Sequence, residues 1–266
     1  MTSKTEIYNS NNSKLINGFG IKKLSNGREY KGYFKEGVYD NIGEIRTENG
    51  EYFKGEFHNN KANGFGEYLK IDGSISRGYW IDDSKNGIGE ELWGDKIKYE
   101  GEYADDKREG IGTMTYILLN QEYQGEWKNN EMNGYGIMKW GTQKIYIGQF
   151  KNSLMNGYGE LKCNNGNIYC GFFRNDKKEG FGIYYYASNH KIYIGFFKKN
   201  HKHGLSKCFF QGNIFYCKWD YGKIVEQIKN EDDFFQQLNS VDTFYLKFFR
   251  MKIKDIKDYI KNDIII

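Results

Sequence analysis

Proline is absent from this chain of 266 residues, and cysteine occurs only four times. Because proline would remove backbone donors from a strand ladder, its absence favours long, continuous β-strands. The cysteines form no CxxC motif, so neither a compact zinc site nor a disulfide framework is indicated, and free thiols in a reducing compartment are expected. These cysteines are Cys163, Cys170, Cys208 and Cys217.

Long apolar runs and a strong charge imbalance are also missing. No run approaches the roughly 18–20 apolar residues of a membrane span, and residues 1–13 lack the apolar core of a secretory signal. The 39 basic and 35 acidic residues give a formal charge of +4. A nucleic-acid binder usually concentrates a basic excess on one surface. The composition therefore indicates a cytoplasmic protein without a nucleic-acid partner.

Glycine and aromatic residues, in contrast, are abundant and regularly placed. The chain has 33 glycines, and 18% of its residues are aromatic. One set of glycines recurs every 23 or 24 residues, most of them in a Tyr-x-Gly-x-aromatic frame, and a second set recurs as Gly-x-Gly at the same period. Two interlocked periodic sets predict a repeat array. The glycines of the first set are Gly32, Gly55, Gly78, Gly101, Gly125, Gly148, Gly171 and Gly195.

Each repeat has the pattern of a β-hairpin. In the repeat that starts at residue 123, Tyr123, Gly125 and Trp127 alternate with polar residues, as in a half-buried strand. Residues 128–133 are polar and turn-forming, and residues 134–140 read as the returning strand. The turns between units carry Asn-Gly or Asp-Gly, strong hairpin signals. These pairs are Asn26-Gly27, Asn49-Gly50, Asp72-Gly73 and Asn165-Gly166.

The repeated hairpins predict an all-β fold. Since no helical stretch separates neighbours, consecutive hairpins should join edge to edge in a single antiparallel sheet. About 17 strands spaced roughly 4.8 Å apart would form an elongated body on the order of 80 Å long. Glycine inside a strand is costly unless the space is filled. We therefore expect an aromatic ring from an adjacent strand to cover each glycine.

The pattern resembles the MORN repeat (membrane occupation and recognition nexus), whose unit is close to YxGxW…GxG over about 23 residues. The resemblance extends from Leu15 to Trp219 and is carried by frames such as Tyr146-x-Gly148-x-Phe150. Some units depart from it, because Phe53 and Ser76 replace the leading tyrosine. The resulting domain prediction is a polar segment or degenerate first repeat at 1–14, the array at 15–222 and a C-terminal tail at 223–266.

The tail lacks the repeat and reads as helix over Glu231–Leu238 and from Val241 to about Asn262, with Asp242 or Ser240 as the N-cap of the second. That second segment is amphipathic, with an apolar stripe that includes Tyr245 and Phe249. Three interpretations remain: a cover for the exposed edge or face of the last hairpins, a partner-binding or oligomerising helix, or a membrane-surface helix. The last would contact lipid, or a partner, through Lys247, Arg250, Lys254, Lys257 and Lys261.

Several motifs invite a catalytic or metal interpretation that their context does not support. The Gly-x-Gly pairs recur between strands, whereas a phosphate-binding loop joins a strand to a helix and occurs once. His201 and His203 lie near Cys208 but among lysines, whose positive charges would repel a bound metal cation. The recurring acids read as a solvated strand face rather than catalytic carboxylates. They are Glu56, Glu102, Glu126 and Glu160. We predict no catalytic residue, cofactor or metal site.

A non-enzymatic scaffold or adaptor is the leading functional hypothesis. The predicted sheet offers a groove for an extended or helical peptide, and aromatic residues make good binding hot spots. The resemblance implies a protein of the cell cortex, the cytoskeleton, the cilium or flagellum, or membrane junctions. It also makes a second copy of the chain, in a homodimer, an alternative partner. The predicted partner-binding residues are Tyr99, Tyr103, Tyr123, Trp127, Tyr146, Phe150, Tyr169, Phe173, Tyr193 and Phe197.

The second hypothesis is a phosphoinositide-binding or membrane-surface module, acting through the basic C-terminal helix and acidic phospholipid headgroups. An enzyme is disfavoured, because the 44 residues after Gly222 are too few for the kinase or methyltransferase domains that accompany related repeats.

Overall fold

The computed structural model describes residues 17–238 and 242–262, and it divides into two units, an N-terminal unit (1–131) and a C-terminal unit (132–266). The fold is all-β, as predicted. Strands of the N-terminal unit are β1 Gly18–Lys23, β2 Glu29–Lys35, β3 Val38–Arg46, β4 Tyr52–His58, β5 Lys61–Leu69, β6 Ile75–Ile81, β7 Ser84–Trp93, β8 Ile97–Ala104, β9 Lys107–Tyr116 and β10 Gln121–Lys128.

The C-terminal unit holds the remaining strands and three short helices. Its strands are β11 Glu131–Trp140, β12 Lys144–Lys151, β13 Leu154–Cys163, β14 Ile168–Arg174, β15 Lys177–Tyr186, β16 Lys191–Lys198, β17 His201–Phe210, β18 Asn213–Asp220 and β19 Lys223–Ile228. Its helices are α1 Glu231–Gln236, α2 Leu246–Arg250 and α3 Ile253–Asn262. In the described residues, no helix is both long enough and apolar enough to span a membrane.

Within each unit, strands that follow one another in sequence pair antiparallel. The register sets glycine opposite glycine, as in Gly20 to Gly32 and Gly32 to Gly43. It also places alternate side chains on two faces. We call the face that carries the repeat tyrosines the core face, and the other the opposite face. The predicted antiparallel hairpin array is confirmed.

The core face is built from rings that cover paired glycines. Tyr30 is fully buried, and a Cβ atom added to Gly32 or Gly43 would overlap its ring. The ring comes from the strand of Gly32 itself, so the expectation of a ring from an adjacent strand is correct only for Gly43. One ring thus fills the space above two strands, which explains why both positions are glycine.

A β-bulge explains why these rings are tyrosine rather than phenylalanine. The register between β2 and β3 shifts between Gly32 and Phe34, so Tyr33 is skipped in that ladder. The Tyr30 hydroxyl donates to the Tyr33 carbonyl at 2.9 Å. The tyrosines of the repeats that start at Tyr99, Tyr123, Tyr146, Tyr169 and Tyr193 donate in the same way to the residue three positions later.

Two kinds of turn alternate along the chain. At Asn26-Gly27 only the glycine has a positive φ, of 79°, so this predicted hairpin turn is not type I′. The type I′ geometry occurs instead at pairs such as Asn129-Asn130, where both φ values are positive, 49° and 70°. Asparagine and aspartate tolerate this conformation better than most other residues.

The type I′ turns also join neighbouring hairpins. The Asp106 carboxylate accepts from the Lys85 amide at 2.8 Å, and the Asp106 amide donates to the Lys85 carbonyl at 3.1 Å. The same pair of bonds links Asp83 with Ala62 and Asp176 with Met155. Each turn therefore fixes the strand that lies about one repeat earlier in sequence.

The tail differs from its predicted form in two ways. Strand β19 pairs with β18 and extends the sheet to Ile228, six residues past the predicted end of the array at 222. The predicted helix from 241 to 262 is interrupted, because Met251 is extended (φ −60°, ψ 141°). Helix α3 then starts afresh, and the Lys252 amide donates to the Asp255 carboxylate at 3.2 Å. Residues 1–14 and Ser240 lie outside the described residues.

Candidate functional site

The ten predicted partner-binding rings lie in the interior of the sheet's core face. None of them is more than 6% exposed. They contact one another edge to face between repeats, as in Tyr99 with Trp127 at 5.3 Å and Tyr146 with Phe173 at 5.1 Å. Such contacts stabilise the sheet. Direct contact of these rings with a partner stays a prediction. Since the rings are almost fully buried, a partner would meet other side chains first.

Cationic side chains lie above these rings. The Arg108 guanidinium is 4.9 Å from the Trp127 ring centroid, and the Lys202 ammonium is 4.8 Å from that of Tyr193. Burial lowers the pKa of Lys202. Arg108 stands two residues before Gly110 and Lys202 two residues before Gly204, each the first glycine position of a Gly-x-Gly segment or its degenerate form, a recurrence that the sequence interpretation missed. The core face therefore presents long basic chains over its aromatic groove.

One carboxylate is buried on the core face of the N-terminal unit. Glu91 lies 2.7 Å from the Lys85 ammonium and 3.2 Å from that of Lys70, and it accepts from the Tyr103 hydroxyl at 3.2 Å. Burial raises the pKa of Glu91, but the hydrogen bonds and charges of the two lysines outweigh burial and leave it below its usual value. The group is fully engaged in structure, so it is not a candidate base.

The opposite face carries an exposed apolar row, which we call the central row. It consists of the residue between the two glycine positions of each Gly-x-Gly pair. Its first seven members are 41% to 69% exposed. Aromatic members pair edge to face across strands, as in Phe65 with Tyr79 and Tyr158 with Phe172, both at 5.7 Å. The row comprises Phe19, Ile42, Phe65, Ile88 and Ile111 in the N-terminal unit and Tyr135, Tyr158, Phe181 and Leu205 in the C-terminal unit.

In the N-terminal unit, charged residues flank the central row. Arg77 contacts Glu67 at 2.6 Å and Glu90 at 2.8 Å, and Lys98 contacts Glu90 at 3.5 Å. Hydrogen bonds from Tyr52 and Arg77 lower the pKa of Glu67. These ion pairs share partners and form a network, but their side chains are partly exposed, so solvent screens their contribution to stability. They do, however, make this flank hydrophilic.

In the C-terminal unit, the tail covers the last two members of the row. The Phe181 ring stacks on Tyr245, with centroids 4.3 Å apart and planes 6° apart, and Leu205 is buried in the same cluster as Phe249. The Lys207 ammonium donates to the Phe249 carbonyl at 2.7 Å. This arrangement matches the interpretation of the tail as a cover, and it covers the face of the last hairpins.

The family is identified by a model for the MORN repeat, which matches six segments of the chain. These segments are residues 53–75, 77–97, 99–117, 123–144, 146–168 and 169–191. The chain belongs to the MORN-repeat family. No curated protein matches its sequence.

Two solved structures show a distant likeness to this MORN protein. One is the SAS-4 (dCPAP) TCP domain of Drosophila melanogaster in complex with a proline-rich motif of Ana2 (dSTIL). It is 14% identical in sequence, the match covers 67% of this chain and 90% of that chain, and the TM-score is 0.37. Another is the TCP10c domain of Drosophila melanogaster Sas-4, with 13% identity, 74% and 97% covered, and a TM-score of 0.30.

The MORN geometry continues beyond the matched segments. Tyr30 covers Gly32 and Gly43 before the first segment, and Tyr193 donates to the Phe196 carbonyl at 2.9 Å after the last. The repeat glycines named from the sequence lie at these close approaches; for example, Gly101 and Gly148 each stand opposite another glycine. At Gly101 and Gly148 an added side chain would overlap the tyrosine two residues earlier, and at Gly78 it would overlap the backbone of Ile88 and Gly89, so these glycines have a structural role.

The polar residues singled out from the sequence are dispersed in this MORN sheet. Among the described residues, no group of three His, Cys, Asp or Glu side chains could hold a metal ion. The Glu102 carboxylate is exposed and accepts from the Ile111 amide at 2.9 Å. The solvated position expected for Glu160 is wrong: it is buried, 3.0 Å from Lys162. Its cross-strand neighbours are Ile147 and Cys170, two apolar residues that reduce its contact with water.

The basic residues predicted for lipid contact lie on α2 and α3. Lys247, Arg250, Lys254 and Lys257 are exposed, whereas the side chain of Lys261 is not among those described. Arg250 also lies 5.5 Å from the Phe235 ring centroid. The helices therefore turn their apolar side to the sheet and their basic side to solvent.

Proposed function

We propose that this MORN protein is a non-enzymatic scaffold that binds protein partners on its sheet. The observation that carries the proposal is the central row, an apolar surface that the fold repeats in both units and leaves exposed in seven repeats. Contiguous exposed apolar surface is a common mark of protein interaction sites. The resemblance to MORN proteins supports a cytoplasmic scaffold at the cell cortex, cytoskeleton or cilium.

Affinity purification of the tagged full chain from its source cell tests the scaffold. The matched comparison is a variant in which three central-row residues, Phe65, Ile88 and Tyr135, are changed to serine. We expect specific partners to purify with the wild-type chain and to be lost from the variant. We also expect microscopy to locate the tagged chain at the cell cortex, the cytoskeleton or the cilium. Equal recovery of every partner by both chains would contradict binding at the row.

A second candidate function, binding to acidic lipid, rests on the exposed lysines of α3. Each basic residue near an anionic surface contributes about 1 kcal/mol. The test is sedimentation of the full chain with phosphatidylcholine vesicles that contain phosphatidylinositol 4,5-bisphosphate. Lys254→Glu with Lys257→Glu should abolish binding, and Lys128→Glu with Lys151→Glu serves as a control of equal charge. The same loss in both variants would argue against a site on α3.

A further inference from the structure

The tail shows what kind of ligand the central row accepts. Its helical segment places Tyr245 and Phe249 against Phe181 and Phe196 of the opposite face, with centroids 4.3 to 6.3 Å apart. Phe249 is fully buried there. A helix with an aromatic stripe is therefore bound, in the chain's own structure, by the same row that is exposed elsewhere.

Strands β11–β14 continue this surface away from the tail. Tyr135, Tyr158 and Phe172 are 64%, 41% and 38% exposed, and Ile145 is also exposed. We call these residues, together with Ile137 and Ile147, the apolar patch. A cavity of about 180 Å³ joins the patch to the tail, since it is lined by Tyr158 and Phe172 on one side and by Phe244 and Phe248 on the other.

The patch differs from the flank of the row in the N-terminal unit. On β5, Glu67 follows the row member Phe65 by two residues, and it lies opposite Arg77 of β6. At the equivalent position β11 and β12 place Ile137 opposite Ile147. The apolar surface is therefore wider on β11 and β12 than on β5 and β6, as a helix with a stripe several residues wide requires.

The floor of the patch is held in place by hydrogen bonds. The Gln149 amide nitrogen donates to the Tyr135 hydroxyl at 3.1 Å, and its oxygen accepts from the Tyr158 amide at 2.8 Å. Phe172 contacts the Tyr158 ring edge to face. Because these side chains are already ordered, a ligand would lose less side-chain entropy on binding.

The charge around the patch selects the ligand further. Between residues 132 and 174 there are five basic side chains and one acidic side chain, the buried Glu160. Lys139, Lys151 and Arg174 are exposed on these strands, and Lys247 borders the cavity. Acidic flanks on a ligand would complement this rim.

We propose that the apolar patch binds an amphipathic helix of a partner protein, one with an aromatic or aliphatic stripe and acidic flanks, beside the tail. This proposal rests on the scaffold function and adds to it the class of partner and the strands that bind it. The helix-in-groove mode needs anchors at i, i+3, i+4 and i+7.

The test uses the full chain and a fluorescein-labelled peptide of about 20 residues, long enough to form a helix. The peptide carries Leu and Phe on one stripe and Glu on its other faces; a second peptide carries Lys in place of Glu. Tyr158→Ser with Phe172→Ser removes one aromatic pair from the patch. Leu118→Ser with Leu119→Ser is the control, because these two apolar side chains are 71% and 64% exposed and belong to neither the central row nor the apolar patch.

We expect fluorescence anisotropy to show binding of the acidic peptide to the wild-type chain and to the control. The patch variant should bind about tenfold more weakly, and the Lys peptide should bind less well than the Glu peptide. Tyr158→Trp provides an independent signal, since its emission should shift to the blue when the peptide covers it. Equal affinity of patch variant and control, or tighter binding of the Lys peptide, would overturn the proposal.

Two further outcomes separate this inference from the scaffold function. If partners purified with the chain bind the wild type and the patch variant equally, the scaffold stands and the patch assignment fails. If instead the patch variant loses binding to phosphatidylcholine–phosphatidylserine vesicles while the peptide never binds, the surface is a lipid site and the partner-helix proposal is wrong.

Discussion

At the scale of single residues, a hydroxyl group decides the identity of the repeat aromatic. Phenylalanine would cover the paired glycines as well as tyrosine does, and Phe53 does so above Gly55 and Gly66. Only tyrosine can donate to the carbonyl that the bulge leaves out of the ladder. Burial raises the pKa of Tyr99 to about 12, so its hydroxyl keeps the proton that it donates at neutral pH.

Replacing Tyr123 by phenylalanine should therefore lower the free energy of unfolding by about 1 kcal/mol, the usual net value of a hydrogen bond. The bond lost is the one from Tyr123 to the Glu126 carbonyl, 2.9 Å long. Urea unfolding followed by circular dichroism measures the change. Tyr79→Phe, at an exposed ring, is the control, and a loss of the same size there would contradict the assigned role.

A second residue-scale prediction concerns acid stability. The folded pKa of Glu91 is lowered, so below the ordinary carboxyl pKa of about 4.3 the unfolded state takes up the proton more readily. The stabilisation is present at pH above that value and is lost as pH falls through the folded pKa. We expect the melting temperature of Glu91→Gln to depend less on pH between about 5 and 3. If the melting temperatures of the wild type and Glu91→Gln fell in parallel over this pH range, Glu91 would not be the source of the acid sensitivity.

At the scale of elements, the type I′ turns act between hairpins as well as within them. Their second residue accepts from a backbone amide 21 or 22 positions earlier, as Asp106 does from Lys85 and Asn130 from Arg108. This explains why aspartate or asparagine occupies most of these positions. Glycine would adopt the turn conformation equally well, but it has no side chain to accept the bond.

Asp106→Ala should reduce stability by about 1–2 kcal/mol, because it leaves the Lys85 amide without its acceptor and places alanine at a positive φ, 64° in this structure. Asp106→Asn should cost much less, since asparagine stands at the equivalent position 130. Equilibrium unfolding in urea compares the two variants. Equal losses would show that the side-chain bond contributes nothing.

At the scale of the whole molecule, long-range contacts close the end of the C-terminal unit. The apolar residues of β15–β18 on the opposite face would be exposed without the tail; Ile192 and Ile194, for example, are fully buried in the cluster with Phe249 and Ile256. Lys207 is the polar attachment, with its ammonium 2.7 Å from the Phe249 carbonyl and 3.6 Å from Glu231.

Lys207→Met should loosen the tail while leaving the sheet folded, because methionine keeps the apolar contacts and removes the donor. We expect faster hydrogen exchange and faster proteolysis in residues 231–262. Lys218→Met, an exposed site on the neighbouring strand, is the control. Unchanged exchange in the tail of Lys207→Met would show that apolar packing alone holds it.

The sequence by itself determined the repeat, the hairpins and the antiparallel order, because period-two alternation and turn chemistry act between near neighbours. It also predicted helix in the tail. Tertiary structure alone decided the rest: which face the rings enter, that Glu160 is buried beside Lys162, and where the tail docks. Those outcomes depend on contacts between residues distant in sequence, such as Lys207 and Phe249, 42 positions apart, which no local pattern records.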